Sequence, residues 1–275
     1  MRISSFETVP FHRMFYRVSR TANSDLYELP FIRTAVEGLP DSLDAIIATA
    51  DLQGFAQSDG NLVGLGEAVP VAIEQLQREG TLPALDRTGI ILAGDLHARA
   101  GDDDVLPVWR AFASVSRWVV GVAGNHDRLG PSTSADSARS PLEGLNAHLL
   151  DNSTVEPDRL RIGGLSGIVS SQDGSWHRQQ FDYTTALSEL LKRQCDLLVL
   201  HDGPNVAGTD LPGWPSIRQV LETGAPALLI RGHDHWPEPM HELSNGMQVL
   251  NVEGRVVVLQ RRRDGVNQTS AEQTA

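Results

Sequence analysis

AIIATADLQGF, residues 45–55, is an apolar run that stops at a carboxylate. Small and β-branched residues fill it as far as Ala50, Asp51 ends it, and Gln53 and Gly54 follow. A continuous apolar run bounded by Gly or polar residues reads as a strand buried on both faces. Four more stretches read the same way: 89–93, 118–123, 197–200 and 227–230. Each ends on chemistry. The second stops in GDLHARAG at Asp95, and the third stops in GNHD at Asn125 and His126. The fourth stops in LLVLHDGP at His201, and the fifth in GHDH at His233 and His235.

Helical patterns lie between these runs. VPVAIEQLQREG (69–80) spaces Val71, Ile73 and Leu76 near a helical period and closes on Gly80. DYTTALSELLKRQ (182–194) opens on Asp182 as N-cap, carries Leu187, Leu190 and Leu191 on one face, and ends with Lys192 and Arg193. PSIRQVLETG (215–224) repeats the pattern, with Ser216 near its start and Gly224 past its end. Strands alternating with helices predict an α/β fold. Toward the end of the chain, Asn245-Gly246 predicts a hairpin turn and Glu253-Gly254 a second, closing the fold with an antiparallel meander. Residues 1–44 read as an extension packed on a single domain that runs to residue 263, and 264–275 as a flexible polar tail.

Composition limits what this fold can meet. The chain has 275 residues, 40% of them hydrophobic, enough for one large domain with a substantial core. Its formal charge of −12 and pI near 5.1 set its surface against nucleic acid and anionic membranes. The arginine run 261–263 reads as a solvated strand end. Cys195 is the one cysteine, which excludes an internal disulfide, fits a reducing compartment, and reads as a small buried hydrophobe. The N-terminal stretch has no continuous apolar core of a signal peptide, and no run reaches membrane-spanning length. A cytoplasmic protein is the expectation; its oligomeric state is not legible.

Sheets of α/β proteins bind ligands at the carboxyl ends of their strands, where loops diverge. Five such ends supplying Asp, Asn or His make a metal-site pattern. They offer imidazoles and hard oxygen donors, no thiolate, and enough groups for two ions that share a carboxylate.

In their order, GD, GNHD, a strand-terminal His and GHDH resemble the calcineurin-like metallophosphoesterases, over residues 45–260. The resemblance implies a four-layer α/β/β/α sandwich with mixed sheets flanked by helices, and the closing meander would fit its second sheet. It implies two divalent ions, with Mn²⁺ leading and Fe, Zn or Mg as alternatives, and a bridging water aimed at the phosphorus of a small phosphorylated substrate. By position, Asp95 would bridge both ions. Asp51, Gln53 and His235 would complete the first site; Asn125, His201 and His233 would complete the second. His126 would stand beside the scissile phosphate, and Arg99, four residues after Asp95, would contact it. The implied activity is a phosphatase or phosphodiesterase, hydrolysing a phosphomonoester or a phosphodiester.

Two departures from the family pattern matter. Asp51-Leu52-Gln53 stands where the family usually has Asp-x-His, and an amide oxygen is a poorer donor than imidazole for Zn, Fe or Ni. Asp95-Leu96-His97 does read Asp-x-His, but the 30 residues from Asp95 to Asn125 fit a bridging role for Asp95, leaving His97 as a decoy or a rim residue. The second departure is Ala98, where phosphoprotein phosphatases carry an acid that orients the GNH histidine. On an extended chain Asp127 points away from that histidine and does not replace the acid. Two rivals stand beside the hydrolase: an interaction scaffold with a weakened site on the same fold, and an amidohydrolase barrel, whose His-x-His would come early rather than late. The stretches 55–87 and 130–160 are long enough to wall a pocket.

Overall fold

The structure, a computed structural model, describes residues 1–21, 24–58, 60–97, 104–130 and 142–261. The strand Ala45–Thr49 is buried along its whole length. Its pleat sends Ala45 and Ile47 into one core and Ile46 and Ala48 into another, so both faces must be covered. It pairs in parallel with Thr88–Leu92, which pairs in parallel with Trp118–Gly121, and that strand with Ala147–Leu149. On its other side Val256–Arg261 runs antiparallel to it and parallel to the long strand Leu26–Glu37. Arg2–Phe6 and His12–Arg17 pair with Leu26–Glu37, and the hairpin of Phe55–Ser58 and Asn61–Gly64 completes a ten-stranded sheet.

A second sheet has six strands, in the order Ser153–Val155, Ile162–Leu165, Leu197–Leu200, Leu228–Arg231, Gln248–Asn251 and Met240–Glu242. Its central four strands are parallel, and an antiparallel strand closes each edge. The two sheets face each other through Ile46, Ile91 and Val120 on one side and Ile162, Val199 and Ile230 on the other. Helices Leu65–Arg78 and Leu106–Ser114 cover the far face of the large sheet with Val69, Ile73, Trp109 and Phe112. Helices Gln180–Leu191 and Pro215–Leu221 cover the far face of the small one with Tyr183, Leu187, Ile217 and Leu221. Each fully buried aliphatic side chain in these layers contributes about 1.5–3 kcal/mol. The result is the expected α/β/β/α order.

Several readings of the sequence are corrected. The chain does not close as a meander. Met240–Glu242 and Gln248–Asn251 do form a hairpin around Asn245-Gly246. At Glu253-Gly254, however, the chain leaves the small sheet, and Val256–Arg261 joins the large one beside Ala45–Thr49. The first helix begins at Leu65, with Pro70 inside it, and Val71 is 38% exposed while Val69 is buried in its place. Asp182 lies in the first turn of its helix rather than at the cap, which Gln179 occupies without a side-chain bond. Helix Leu106–Ser114 had no sequence reading; the Asp104 carboxylate accepts the N–H of Leu106 at its start. Cys195 is half-buried against the outer core of the small sheet. Residues 262–275, including most of the arginine run and the polar tail, lie outside the described residues.

Candidate metal centre

Hydrogen bonds hold the carboxyl ends of the strands together within each sheet and across the two. The Asp51 N–H donates to the Gly94 carbonyl at 2.9 Å, and the Gly232 N–H donates to the His201 carbonyl at 3.2 Å. The His233 N–H crosses from the small sheet to Asp51 Oδ2 at 2.9 Å. Three of the residues in this seam hold left-handed backbone: Asp51 at φ 56°, Asp95 at φ 55° and His233 at φ 72°. Such conformations cost non-glycine residues about 1–3 kcal/mol each and cluster at functional sites. Two glycines give the carboxylates their room. A side chain at Gly124 would collide with the Asp95 carboxylate, and one at Gly232 with Asp51 Oδ2.

Asp95, His201 and His233 each aim a donor atom into one space, all within 4.8 Å of one another. His201 is fully buried and doubly held. Its Nδ1 lies 2.7 Å from the Ala93 carbonyl, which can only accept, so Nδ1 carries a proton. Its Nε2 lies 3.2 Å from Asn125 Oδ1 and 3.5 Å from Asp95 Oδ2. The rings of His201 and His233 are 5.0 Å apart. Asn125, Asp95, His201 and His233 are therefore brought together.

The charge balance of this cluster asks for a cation. Burial alone would lower the His201 pKa, but the carboxylates of Asp95 and Asp51 outweigh it and push it up to about 10. Burial pushes Asp51 up to about 8, with Asp95 adding to the rise and His201 opposing it. Burial works upward on Asp95 too, yet His201 and the His126 N–H hold it below the usual carboxylate range. Burial and the neighbouring His201 lower His233. The surrounding carboxylates thus favour positive charge at His201, whose Nε2 faces Asn125 Oδ1 and Asp95 Oδ2.

Asp51, Gln53 and His235 are arranged differently. Gln53 turns its Nε2 toward Asp95 Oδ2 at 3.0 Å, so its amide donates to the carboxylate. His235 is 63% exposed, and its Nδ1 lies 2.5 Å from Glu253 Oε2. His126 is exposed beside the cluster, with its N–H donating to Asp95 Oδ1 at 3.0 Å. His97 is half-buried and Arg128 exposed. Ala98 and Arg99 lie outside the described residues, as do 131–141.

Three residues near the site were given no role from the sequence. Asp127 is buried, and its carboxylate accepts the N–H groups of Asp95, Leu96 and Gly124 at 2.8–2.9 Å. It ties the GD loop to the GNHD loop, and burial with the charge of Asp95 pushes its pKa up to about 7. The chain here is a turn rather than extended, with the Asp127 N–H returning to the Gly124 carbonyl, and the Asp127 carboxylate takes backbone N–H groups. Asp202, next to His201, accepts N–H groups from Val169 and Gly203. It also groups with His233 and Asp234, but Asp234 Oδ2 stands 3.5 Å from the buried Arg231 guanidinium, so a cation is already present there. Glu253 carried no local signal, because it meets His235 only when the chain changes sheets.

The sequence profile of the calcineurin-like phosphoesterases matches residues 45–237, about 70% of the chain. The chain belongs to the calcineurin-like phosphoesterase family. It is, as that family is in general, a metal-dependent phosphoester hydrolase. No curated protein matches it. Among solved structures, TT1561 of Thermus thermophilus is similar with a TM-score of 0.57 at 12% identity, over 76% of this chain and 88% of that one. A second solved structure is similar at TM-score 0.54 and 10% identity, over 78% and 90% of the two chains. At these identities the likeness establishes the phosphoesterase fold alone. The donor set fits the family's metal: hard carboxylate oxygens of Asp95 with imidazole nitrogens of His201 and His233, gathered within 4.8 Å of one another. Among the described residues no helix is long and apolar enough to cross a membrane.

Proposed function

We propose that this phosphoesterase hydrolyses a mono- or diester of a small phosphorylated substrate at a dinuclear centre bridged by Asp95, with Mn²⁺ as the preferred ion. The observation that carries this reading is the convergence of Asp95, His201 and His233 donors within 4.8 Å, with the Asp51 carboxylate accepting the His233 N–H and near enough to Asp95 for their charges to interact. Asn125, His201 and His233 would hold one ion with Asp95. Asp51 and His235 would hold the other, and Gln53 would join them with its carbonyl oxygen in place of the amide nitrogen. Such ions would supply Lewis acidity for the phosphate oxygens and lower the pKa of an attacking water.

The remaining work falls to the chain. His126, exposed at the rim, donates a proton or hydrogen bond to the leaving oxygen. Asn125 presents its side-chain amide to a phosphate oxygen as well as to the ion. Arg99 and Arg128 supply positive charge for an anionic substrate on an otherwise acidic protein. That acidity disfavours nucleic acid and anionic membranes as partners, and with a single cysteine it fits the cytoplasm.

The test is hydrolysis of an aryl phosphodiester and an aryl phosphomonoester by chelated and Mn²⁺-reloaded protein, with metal content measured in parallel. Two ions per chain and turnover that returns with Mn²⁺ are expected. The exposed His235 and the donating Gln53 amide favour the scaffold as second reading. Intact fold with no metal-stimulated turnover of either ester would make it the better one.

A further inference from the structure

The segment that carries the chain from the small sheet to the large one lies along the GHDH loop and holds it at three consecutive residues. Asn251 Nδ2 donates to the Asp234 carbonyl at 2.7 Å. Glu253 Oε2 meets His235 Nδ1 at 2.5 Å. Arg255 Nη2 donates to the Trp236 carbonyl at 2.9 Å. The three contacts run in order along both segments, 251, 253 and 255 against 234, 235 and 236, across a turn in which Gly254 has φ 59° and the Arg255 N–H donates to the Val252 carbonyl. The segment is itself fixed. Asn251 is fully buried, its Oδ1 accepts the Glu253 N–H at 2.8 Å, and Glu253 bridges to Ala50, the residue before Asp51.

His235 differs from its two neighbours in exposure. Asp234 and Trp236 are held by their backbone carbonyls, and the Trp236 ring is buried. The His235 ring stands in solvent at 63% exposure, and among the described residues its ring nitrogens have one hydrogen-bond partner, Glu253. An ionised carboxylate can only accept, so the proton of the neutral ring belongs on Nδ1, and Nε2 is left with its lone pair. A ligating histidine is oriented, and its basicity raised, by such a carboxylate on the far nitrogen.

We infer that Glu253 is a positioning residue for the metal centre: it fixes the tautomer and direction of His235, leaving Nε2 as the nitrogen that would take the ion held with Asp51. The inference rests on the two-ion reading given above. It also supplies what the Gln53 departure removes, since a site with one imidazole depends more on how that imidazole is held.

Two measurements on the full-length chain test it. In metal-free protein, ¹⁵N spectra of the histidines, assigned through His235→Ala, should show His235 protonated at Nδ1. Glu253→Ala should move it toward the Nε2–H form common in solution, and Glu253→Gln, which can still accept, should keep it. Mn²⁺ titration by calorimetry should resolve two events in wild type. Glu253→Ala should weaken the weaker event by about tenfold or more and leave the tighter one in place. In a His235→Ala background, Glu253→Ala should change Mn²⁺ binding no further.

An unchanged tautomer, or two unchanged binding events, overturns the role of Glu253 while leaving the two-ion centre standing. A further loss on top of His235→Ala would make Glu253 a ligand itself and overturns positioning. A single event in wild type removes the two-ion reading and the inference with it.

Discussion

The two halves of the centre are built to different standards. Asp95, Asn125, His201 and His233 come from strand ends of both sheets, and His201 is locked at both ring nitrogens. On the other flank Asp51 is fixed by the His233 N–H, but Gln53 commits its amide to Asp95, and His235 projects into solvent on a single carboxylate. Donors already in place lose little ordering entropy when the ion arrives; exposed rotor-rich donors must be immobilised first. The locked half should therefore hold its ion tightly and the other exchange it readily.

The change that ignores this distinction has the largest expected effect. On the proposed two-ion reading Asp95 serves both halves, so Asp95→Asn should empty both and lower phosphoester turnover by ~10²–10³-fold or more. Metal analysis after desalting decides it: two ions still bound would show that Asp95 is not shared. His126→Ala should separate chemistry from metal, cutting turnover by ~10²–10⁴-fold with metal content unchanged. Activity within a few-fold of wild type would remove His126 from the reaction.

The locked half can be broken from behind. Asp127 accepts three backbone N–H groups in a buried position. Asp127→Ala leaves those donors without a partner, at a cost of about 1–3 kcal/mol each where water does not replace the carboxylate. Urea unfolding should show several kcal/mol lost, together with weaker binding of the tighter ion. A variant as stable as wild type would mean that the turn holds itself.

Much of this is readable from the chain and some is not, for physical reasons. The five strands at the centre are buried on both faces, so their sequences are nearly pure Ala, Val, Ile and Leu, and the residue after each run announces itself. The strands of residues 1–37 are exposed on one face or at an end, and mix Arg13, Glu28 and Pro30 with apolar residues, so they read as an extension. Asp127 escapes because strand alternation does not describe the turn it sits in. Glu253 is invisible because its partner lies 18 residues back and is reached only by a change of sheets.

The comparison also has a pH dependence. Without metal, the carboxylates of Asp95 and Asp51 raise the His201 pKa from 6.5 to about 10, and burial raises that of Asp51 from 3.8 to about 8. Both pKa values are raised by folding, so the folded centre holds more protons than the unfolded chain. That stability is complete below the unfolded values and is lost as pH rises through the folded ones. Each extra proton makes unfolding easier by ~1.4 kcal/mol per pH unit within its window. Chelated protein should therefore lose about 1–2 kcal/mol between pH 7 and 8. Mn²⁺-loaded protein should not, because the ion takes the place of the protons and binds better as they leave. Unfolding curves at pH 6, 7 and 8 test this, and a chelated protein that gains stability over that range would contradict it.

The smallest expected effect is the sharpest probe of the weak half. Gln53 reaches the ion only by exchanging its bond to Asp95 for a carbonyl oxygen, so its net contribution is small. Gln53→Ala should weaken the second Mn²⁺ by only a few-fold. Gln53→His supplies an imidazole in the place of the amide, and it should tighten that ion by about tenfold and favour Zn²⁺ over Mn²⁺ relative to wild type. The locked half provides the internal control, since neither variant touches its donors. Competition titrations against a chelator, run on wild type and both variants, read the two affinities separately. Identical curves for all three proteins would mean that residue 53 never meets the metal, and that its amide serves only to hold the Asp95 carboxylate in place.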